Sequence, residues 1–137
     1  MAIRVLIADD HEATRKGVRT ILSHDGIEVC GEVSNGIEAV TNAVQLRPDI
    51  VILDLTMPVM GGFEAARELR KVLPDIPVLI YSMHESDQLI KESRRIGVRG
   101  FVSKSEISKA LPEAVNALVV QKATFFPDPW PLLPQSS

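Results

Sequence analysis

The chain has 137 residues, of which 45% are hydrophobic, 24% charged and only 4% aromatic, with a net charge of −3. That size points to one domain with a sizeable core, and the charge and scarce aromatics argue against a protein built to coat nucleic acid or stack its bases. The single Cys30 excludes an internal disulfide and a cysteine-based zinc site, no apolar run approaches the roughly 18 residues of a membrane span, and the N-terminus lacks a signal-peptide layout, so a cytoplasmic protein is expected.

Charge is unevenly spread. Residues 1–85 hold 8 basic and 13 acidic side chains, whereas residues 86–137 hold 7 and 5. Beyond simple scatter, this suggests an acidic site early in the chain and a mildly basic surface late in it.

Apolar runs alternate with segments of helical period. Ile3–Ala8 is short and rich in branched residues, a strand that ends at Asp9-Asp10. His11–Ser23 follows as a helix, with Ala13, Gly17, Val18, Ile21 and Leu22 on one side. After the turn cluster Ser23–Gly26, residues 27–33 form a half-buried strand holding Cys30, a small core residue by its setting. Ile37, Val40, Ala43, Val44 and Leu46 make the next helical stripe, which Pro48 stops. Ile50–Leu53 is continuously apolar, the mark of a central parallel strand covered on both faces, and it ends at Asp54. A Met-Pro…Gly-Gly loop leads to a helix with Ala66, Leu69, Val72 and Leu73 inward. Val78–Ser82 is a fourth strand, Asp87–Ile96 a more charged helix closed by Gly97, and Val98–Ser103 a fifth strand. The last helix repeats apolar residues from Ile107 to Val119; Pro112 belongs in its first turns, with Ser108 as its N-cap.

Five strand–helix pairs in alternation imply an α/β fold with a doubly wound parallel sheet, whose ligands sit beyond the carboxyl ends of the strands. Residues 1–122 are the domain. Residues 123–137 form a tail rich in proline and aromatics, with four of the nine prolines. It cannot continue a helix and should be extended. Phe125, Phe126 and Trp130 are costly to expose, so they either fold back on the domain or serve as a docking segment or linker.

Several strand ends carry chemistry: Asp9-Asp10 after the first, Asp54 after the third, Ser82 at the fourth and Lys104 after the fifth. Taken singly, these residues read as a helix cap, a turn residue, a strand-end hydroxyl and a surface lysine. Together, on one edge of a parallel sheet, they bring three carboxylates to an ammonium and a hydroxyl. Carboxylates so close repel unless a cation lies among them, and hard oxygen donors suit Mg²⁺. An aspartate in that setting can act as a nucleophile toward phosphorus, with the metal, lysine and hydroxyl neutralising the transferred group. His11 beside the acidic pair could line the site, with a solvated first-turn residue as the expected reading. Lys91, Arg94, Arg95 and Arg99 form a basic stretch around the fourth helix, which reads as a solvated face or a partner contact.

Asp9-Asp10, Asp54, Met57-Pro58, Gly62, Ser82 and Phe101-Val102-Ser103-Lys104 resemble the receiver domain of two-component response regulators over roughly residues 2–121. Ala8-Asp9-Asp10-His11 and Ser82-Met83-His84-Glu85-Ser86 are similar to the LuxR/NarL/FixJ-type subgroup. The resemblance implies a flavodoxin-like or CheY-like (βα)5 fold with strand order 2-1-3-4-5. It implies Asp54 as phosphoacceptor, taking the phosphoryl group from a sensor histidine kinase, with Lys104 pairing that group. It implies Mg²⁺ held by Asp10, Asp54 and the Thr56 backbone carbonyl, with Asp9 acting through water. Ser82 and Phe101 would be the switch pair, and the side chains of Thr56 and His84 would modulate the lifetime of the phosphoryl group. Partners implied are the kinase and a second copy, through the face of the fourth helix, fifth strand and fifth helix, with no membrane and no nucleic acid bound directly by this chain. The output would be transcription regulation in a longer regulator. Gly61, where Asp or Asn is usual, and Glu12, where Pro is common in the subgroup, depart from the pattern. Two other readings compete: a receiver-like interaction module that is never phosphorylated, and a phosphatase of the haloacid-dehalogenase type suggested by Asp54-Leu55-Thr56. The latter lacks a second aspartate at Thr56 and a cap domain.

Overall fold

The computed structural model describes residues 2–127. Residues 128–137 of the tail, Trp130 among them, lie outside the described residues. Strands β1 (Arg4–Ala8), β2 (Glu28–Val33), β3 (Ile50–Asp54), β4 (Val78–Ser82) and β5 (Gly100–Ser103) alternate with helices α1 (Glu12–His24), α2 (Gly36–Leu46), α3 (Gly62–Val72), α4 (Asp87–Arg95) and α5 (Ile107–Val119). All pairings are parallel, in the order β2-β1-β3-β4-β5. The expected fold and strand order are therefore observed.

The central strands explain themselves. β3 and β4 are buried at every position, which a parallel strand covered on both faces requires. One apolar layer joins Leu6, Leu53, Ile80 and Phe101 to Ala39, Ala43, Ala65, Ala66, Leu69 and Ile90 of α2, α3 and α4. The opposite layer joins Ile7, Ile52 and Tyr81 to Val18, Leu22, Leu111, Val115 and Leu118 of α1 and α5.

Several sequence assignments are corrected. Ala13 and Gly17 face solvent, and so do Ile37, Val44 and Val72. α2 and α3 turn their small residues inward, and Gly36, Ala39, Ala43, Ala65 and Ala66 are buried. Small side chains let a helix lie close, so the larger apolar residues beside them end up outside. Ser108 is not a cap. A 3₁₀ turn, Lys104–Glu106, precedes α5, and the Ser103 hydroxyl caps that turn by accepting from the Ser105 N–H. Pro112 lies in the second turn of α5. The end of α2 is closed by Arg47 in the left-handed region, with φ of 49°, and the Arg4 guanidinium donates to the Leu46 and Arg47 carbonyls.

Candidate functional site

The sheet register brings the candidate residues to one edge. Ala8 pairs with Leu53, Asp54 with Tyr81, and Ser82 with Ser103. The residues that follow these pairs therefore leave the sheet at the same level. They line an open cleft of about 500 Å³, with Asp10, Asp54, Thr56, Ser82, His84 and Lys104 in its wall.

Asp54 is buried at the cleft floor, and its Oδ1 accepts from the Thr56 N–H at 3.4 Å. Lys104 Nζ stands 3.1 Å from Asp9 Oδ2 and 3.2 Å from Asp54 Oδ2, bridging the two carboxylates. Ser82 is buried, and its hydroxyl accepts from the His84 N–H at 3.0 Å. Six of the eight predicted positions thus share the cleft. Asp9 lies beneath it, fully buried. Phe101 lies apart, fully buried in the layer under α4.

Two features escape a reading of the sequence. The first is Tyr81, whose hydroxyl donates to Asp9 Oδ2 at 2.5 Å from inside the core while Lys104 Nζ sits 4.8 Å from the centre of its ring. The one available signal was position, since the residue before Ser82 must point to the opposite face of β4. The second is the set of contacts by which His11 joins the site. Its side chain is exposed as expected, yet Nδ1 approaches Asp9 Oδ1 at 3.2 Å and Asp10 Oδ1 at 3.3 Å. It also holds the N-cap position of α1 and donates its backbone N–H to Asp9 Oδ1 at 2.8 Å. Arg15 adds a donor from α1 to the Asp9 carbonyl at 2.5 Å.

These contacts divide the carboxylates. Burial pushes the Asp9 carboxyl up, but hydrogen bonds from Tyr81, the His11 N–H and Lys104 outweigh it, and the group lies below the usual carboxylate range. Burial and the neighbouring Asp9 charge raise Asp54 above that range, with Lys104 opposing them only in part. Burial and the bond to Asp9 hold the Tyr81 phenol protonated far above its ordinary value. Asp9 is thus a fixed anion and Asp54 the more basic partner.

Removing the phenol tests this division. Tyr81→Phe is expected to lower stability by about 2 kcal/mol, the cost of leaving a buried carboxylate oxygen short of a donor. The urea midpoint should fall with its slope unchanged. An unchanged midpoint would mean that water or Lys104 replaces the phenol without loss.

The donor set fits a hard divalent cation. One ligand atom from each of Asp9, Asp10, His11 and Asp54 lies within 4.8 Å of the others. Among the cleft carboxylates the bridging cation is Lys104, which leaves excess negative charge. Asp9 is the poorest direct ligand of the three, because Oδ1 already accepts from His11 and Oδ2 from Tyr81 and Lys104.

Known proteins bear on this arrangement. The profile of the response regulator receiver domain matches residues 5–116. The response regulator protein VraR of Staphylococcus epidermidis is 36% identical over 129 residues, which is 93% of this chain and 62% of that protein. The chain therefore spans less than two thirds of the length of the curated relatives it matches. Among solved structures, a two-component response regulator of the LuxR family from Aurantimonas superposes with a TM-score of 0.87 at 30% identity, covering 91% of this chain and 89% of that one. The signal receiver domain of NarL from Mycobacterium tuberculosis superposes with a TM-score of 0.75 at 31% identity, covering 84% and 97%.

Proposed function

The chain belongs to the response regulator receiver domain family, and from that premise we propose that Asp54 accepts a phosphoryl group from a sensor histidine kinase. The observation that carries this reading is the ammonium of Lys104 bridging Asp54 and the fixed anion Asp9 at the floor of an open cleft. Membership of this family sets the phosphatase reading aside. In the described residues no helix is long and apolar enough to cross a membrane.

In this reading a carboxylate oxygen of Asp54 attacks phosphorus. An O–P bond forms as the P–N bond to the kinase imidazole breaks, and the leaving nitrogen recovers a proton from solvent. The ionised carboxylate of Asp54 is the nucleophile, and the Lys104 ammonium 3.2 Å from its Oδ2 stands ready to meet the incoming group. Lys104 neutralises charge on the equatorial oxygens, while the Ser82 hydroxyl stands at the rim to hydrogen-bond one of them. Asp10, Asp54 and the Thr56 carbonyl would hold Mg²⁺, with Asp9 reaching it through water. When bound, that ion supplies further charge neutralisation around the transferred group. The chain is then a switch that catalyses its own phosphorylation and dephosphorylation.

The new charge of about −1.5 to −2 would draw the Ser82 hydroxyl toward the phosphoryl group and act on Phe101, whose ring is already buried before phosphorylation. The output assigned to this switch is transcription regulation in a longer regulator of the LuxR type. A homodimer through α4, β5 and α5 belongs to the same reading.

Intact mass after incubation with Mg²⁺ and acetyl phosphate tests the assignment. The native chain should gain one phosphoryl group and Asp54→Asn none. The decay of that gain measures the lifetime on which the Thr56 and His84 side chains act. A folded native chain that gains nothing, from acetyl phosphate or from a kinase, would leave an interaction module that is never phosphorylated.

A further inference from the structure

The edge of β5 is not bare. α5 ends at Val119, and Lys122 adopts a left-handed φ of 56° that turns the chain back. The Ala123 N–H donates to the Ala117 carbonyl at 2.9 Å, and the Arg99 guanidinium reaches the Lys122 carbonyl at 3.3 Å. The chain then runs parallel to β5. The Phe125 N–H donates to the Arg99 carbonyl at 2.9 Å, and the Phe101 N–H donates to the Phe125 carbonyl at 2.9 Å.

Successive side chains of this segment go to opposite faces, as in any strand. Phe125 packs on the layer under α1 and α5, and Phe126 on the layer that holds Phe101. The Arg94 guanidinium of α4 lies 4.1 Å from the centre of the Phe126 ring. Gly100 makes the approach possible, because a Cβ there would come within 3.1 Å of the Phe125 carbonyl oxygen and 2.6 Å of Leu79 Cδ1. Pro127 follows and has no N–H to extend the ladder.

We propose that the edge of β5 is a strand-accepting site for an extended Phe-Phe-Pro segment, filled in cis by Thr124–Phe126, and that this filling closes the face between α4 and α5 to a second copy of the chain. An open β5 edge would present the Arg99 carbonyl and the Phe101 N–H as a template for another strand. The cis segment uses both and replaces them with an edge that is short and ends in proline, the form in which sheets resist edge-to-edge pairing. The site does not depend on phosphorylation of Asp54. It bears on the homodimer of that reading, which on this proposal forms through α4, β5 and α5 only once the segment has left the β5 edge.

The test uses the full chain and a Phe125→Pro, Phe126→Ala double variant, both unphosphorylated. Phe125→Pro removes the donor to Arg99, and Phe126→Ala removes the packing under Arg94. Amide hydrogen exchange at Phe101 reads occupancy of the site, and sedimentation velocity reads self-association. In the double variant the Phe101 amide should exchange at least about tenfold faster while the Ile80 amide in the interior of the sheet is unchanged, and the chain should self-associate with rising concentration where the native chain does not. Unchanged Phe101 exchange overturns the site. Faster exchange in a variant that stays monomeric, or native chain that associates as strongly as the variant, overturns the closure. If the double variant fails to fold, Phe126→Ala alone carries the same two readouts. The Asp54 mass experiment is unaffected by either result, so the two readings fail separately.

Discussion

Lys104→Met is expected to lower stability by about 3 kcal/mol, the scale on which one partner of a buried ion pair is missed. It is also expected to slow phosphoryl uptake on the order of 100-fold, the effect of deleting one donor aimed at developing charge. Both losses follow from one ammonium that serves two carboxylates, 3.1 Å from Asp9 and 3.2 Å from Asp54. Methionine keeps the bulk over the Tyr81 ring and removes only the charge. Asp54 already binds its proton more tightly in the folded chain than an ordinary aspartate does, so ionising it costs stability. Without Lys104 that cost grows, and it is relieved as protonation neutralises the group. The deficit should therefore be full near neutrality and shrink as pH falls through the folded-state value of Asp54, which lies above the usual carboxylate range. Urea titrations of both chains at several pH values check the sign. A deficit that stays full well below that range and shrinks only in stronger acid would show that Lys104 chiefly supports Asp9, whose depressed value places its protonation there.

Gly62→Ala is expected to cost about 3 kcal/mol, the upper end of what overpacking does, because the obstacle is backbone. A Cβ at Gly62 would meet the Asp54 carbonyl oxygen at 2.5 Å and Leu55 Cα at 2.9 Å. Neither atom can rotate away. The Gly62 N–H also donates to the Leu55 carbonyl at 2.9 Å, so the start of α3 and the end of β3 must separate together. The displaced atoms belong to Asp54 itself. Phosphoryl uptake should fall even where the variant remains folded, which distinguishes this glycine from one needed only for packing. Thermal unfolding and mass uptake on the same sample measure the two effects. A stable variant with native uptake would mean that the β3–α3 loop yields without moving the carboxylate.

The alternation of strands and helices was legible because each strand is a short apolar run and each helix carries a stripe of its own period. The cleft was legible for a related reason: parallel strands end on one side, so Asp9, Asp10, Asp54, Ser82 and Lys104 could be placed together before any contact was seen. Three things were not legible. Ile37, Val44 and Val72 were assigned to buried stripes, but the close approach of α2 and α3 is made by glycine and alanine, which a count of large apolar residues overlooks. Tyr81 looked like one more buried strand residue, and nothing in its neighbours along the chain shows that its hydroxyl ends 2.5 Å from Asp9. The aromatic tail advertised its need for cover without naming the place. That place is a hydrogen-bonding edge, a property of β5's position in the sheet and of no residue in the tail.

The order of the strands also sets a direction. β3 is buried at every position between β1 and β4, so Asp54 stands at the end of the sheet's central strand. From there the next strand outward carries Ser82, the following one Phe101, and beyond it lies the segment that ends at Phe126. Adjacent strands are about 4.8 Å apart, so some 15 Å of ladder separates the fixed post from the rim. A disturbance at the post would run crosswise, rung to rung, through β4, which is as buried as β3, to β5 and the segment laid along its edge. This half of the sheet is then a beam held at both ends, by β3 at the centre of the sheet and by the hydrogen-bonded segment at its rim.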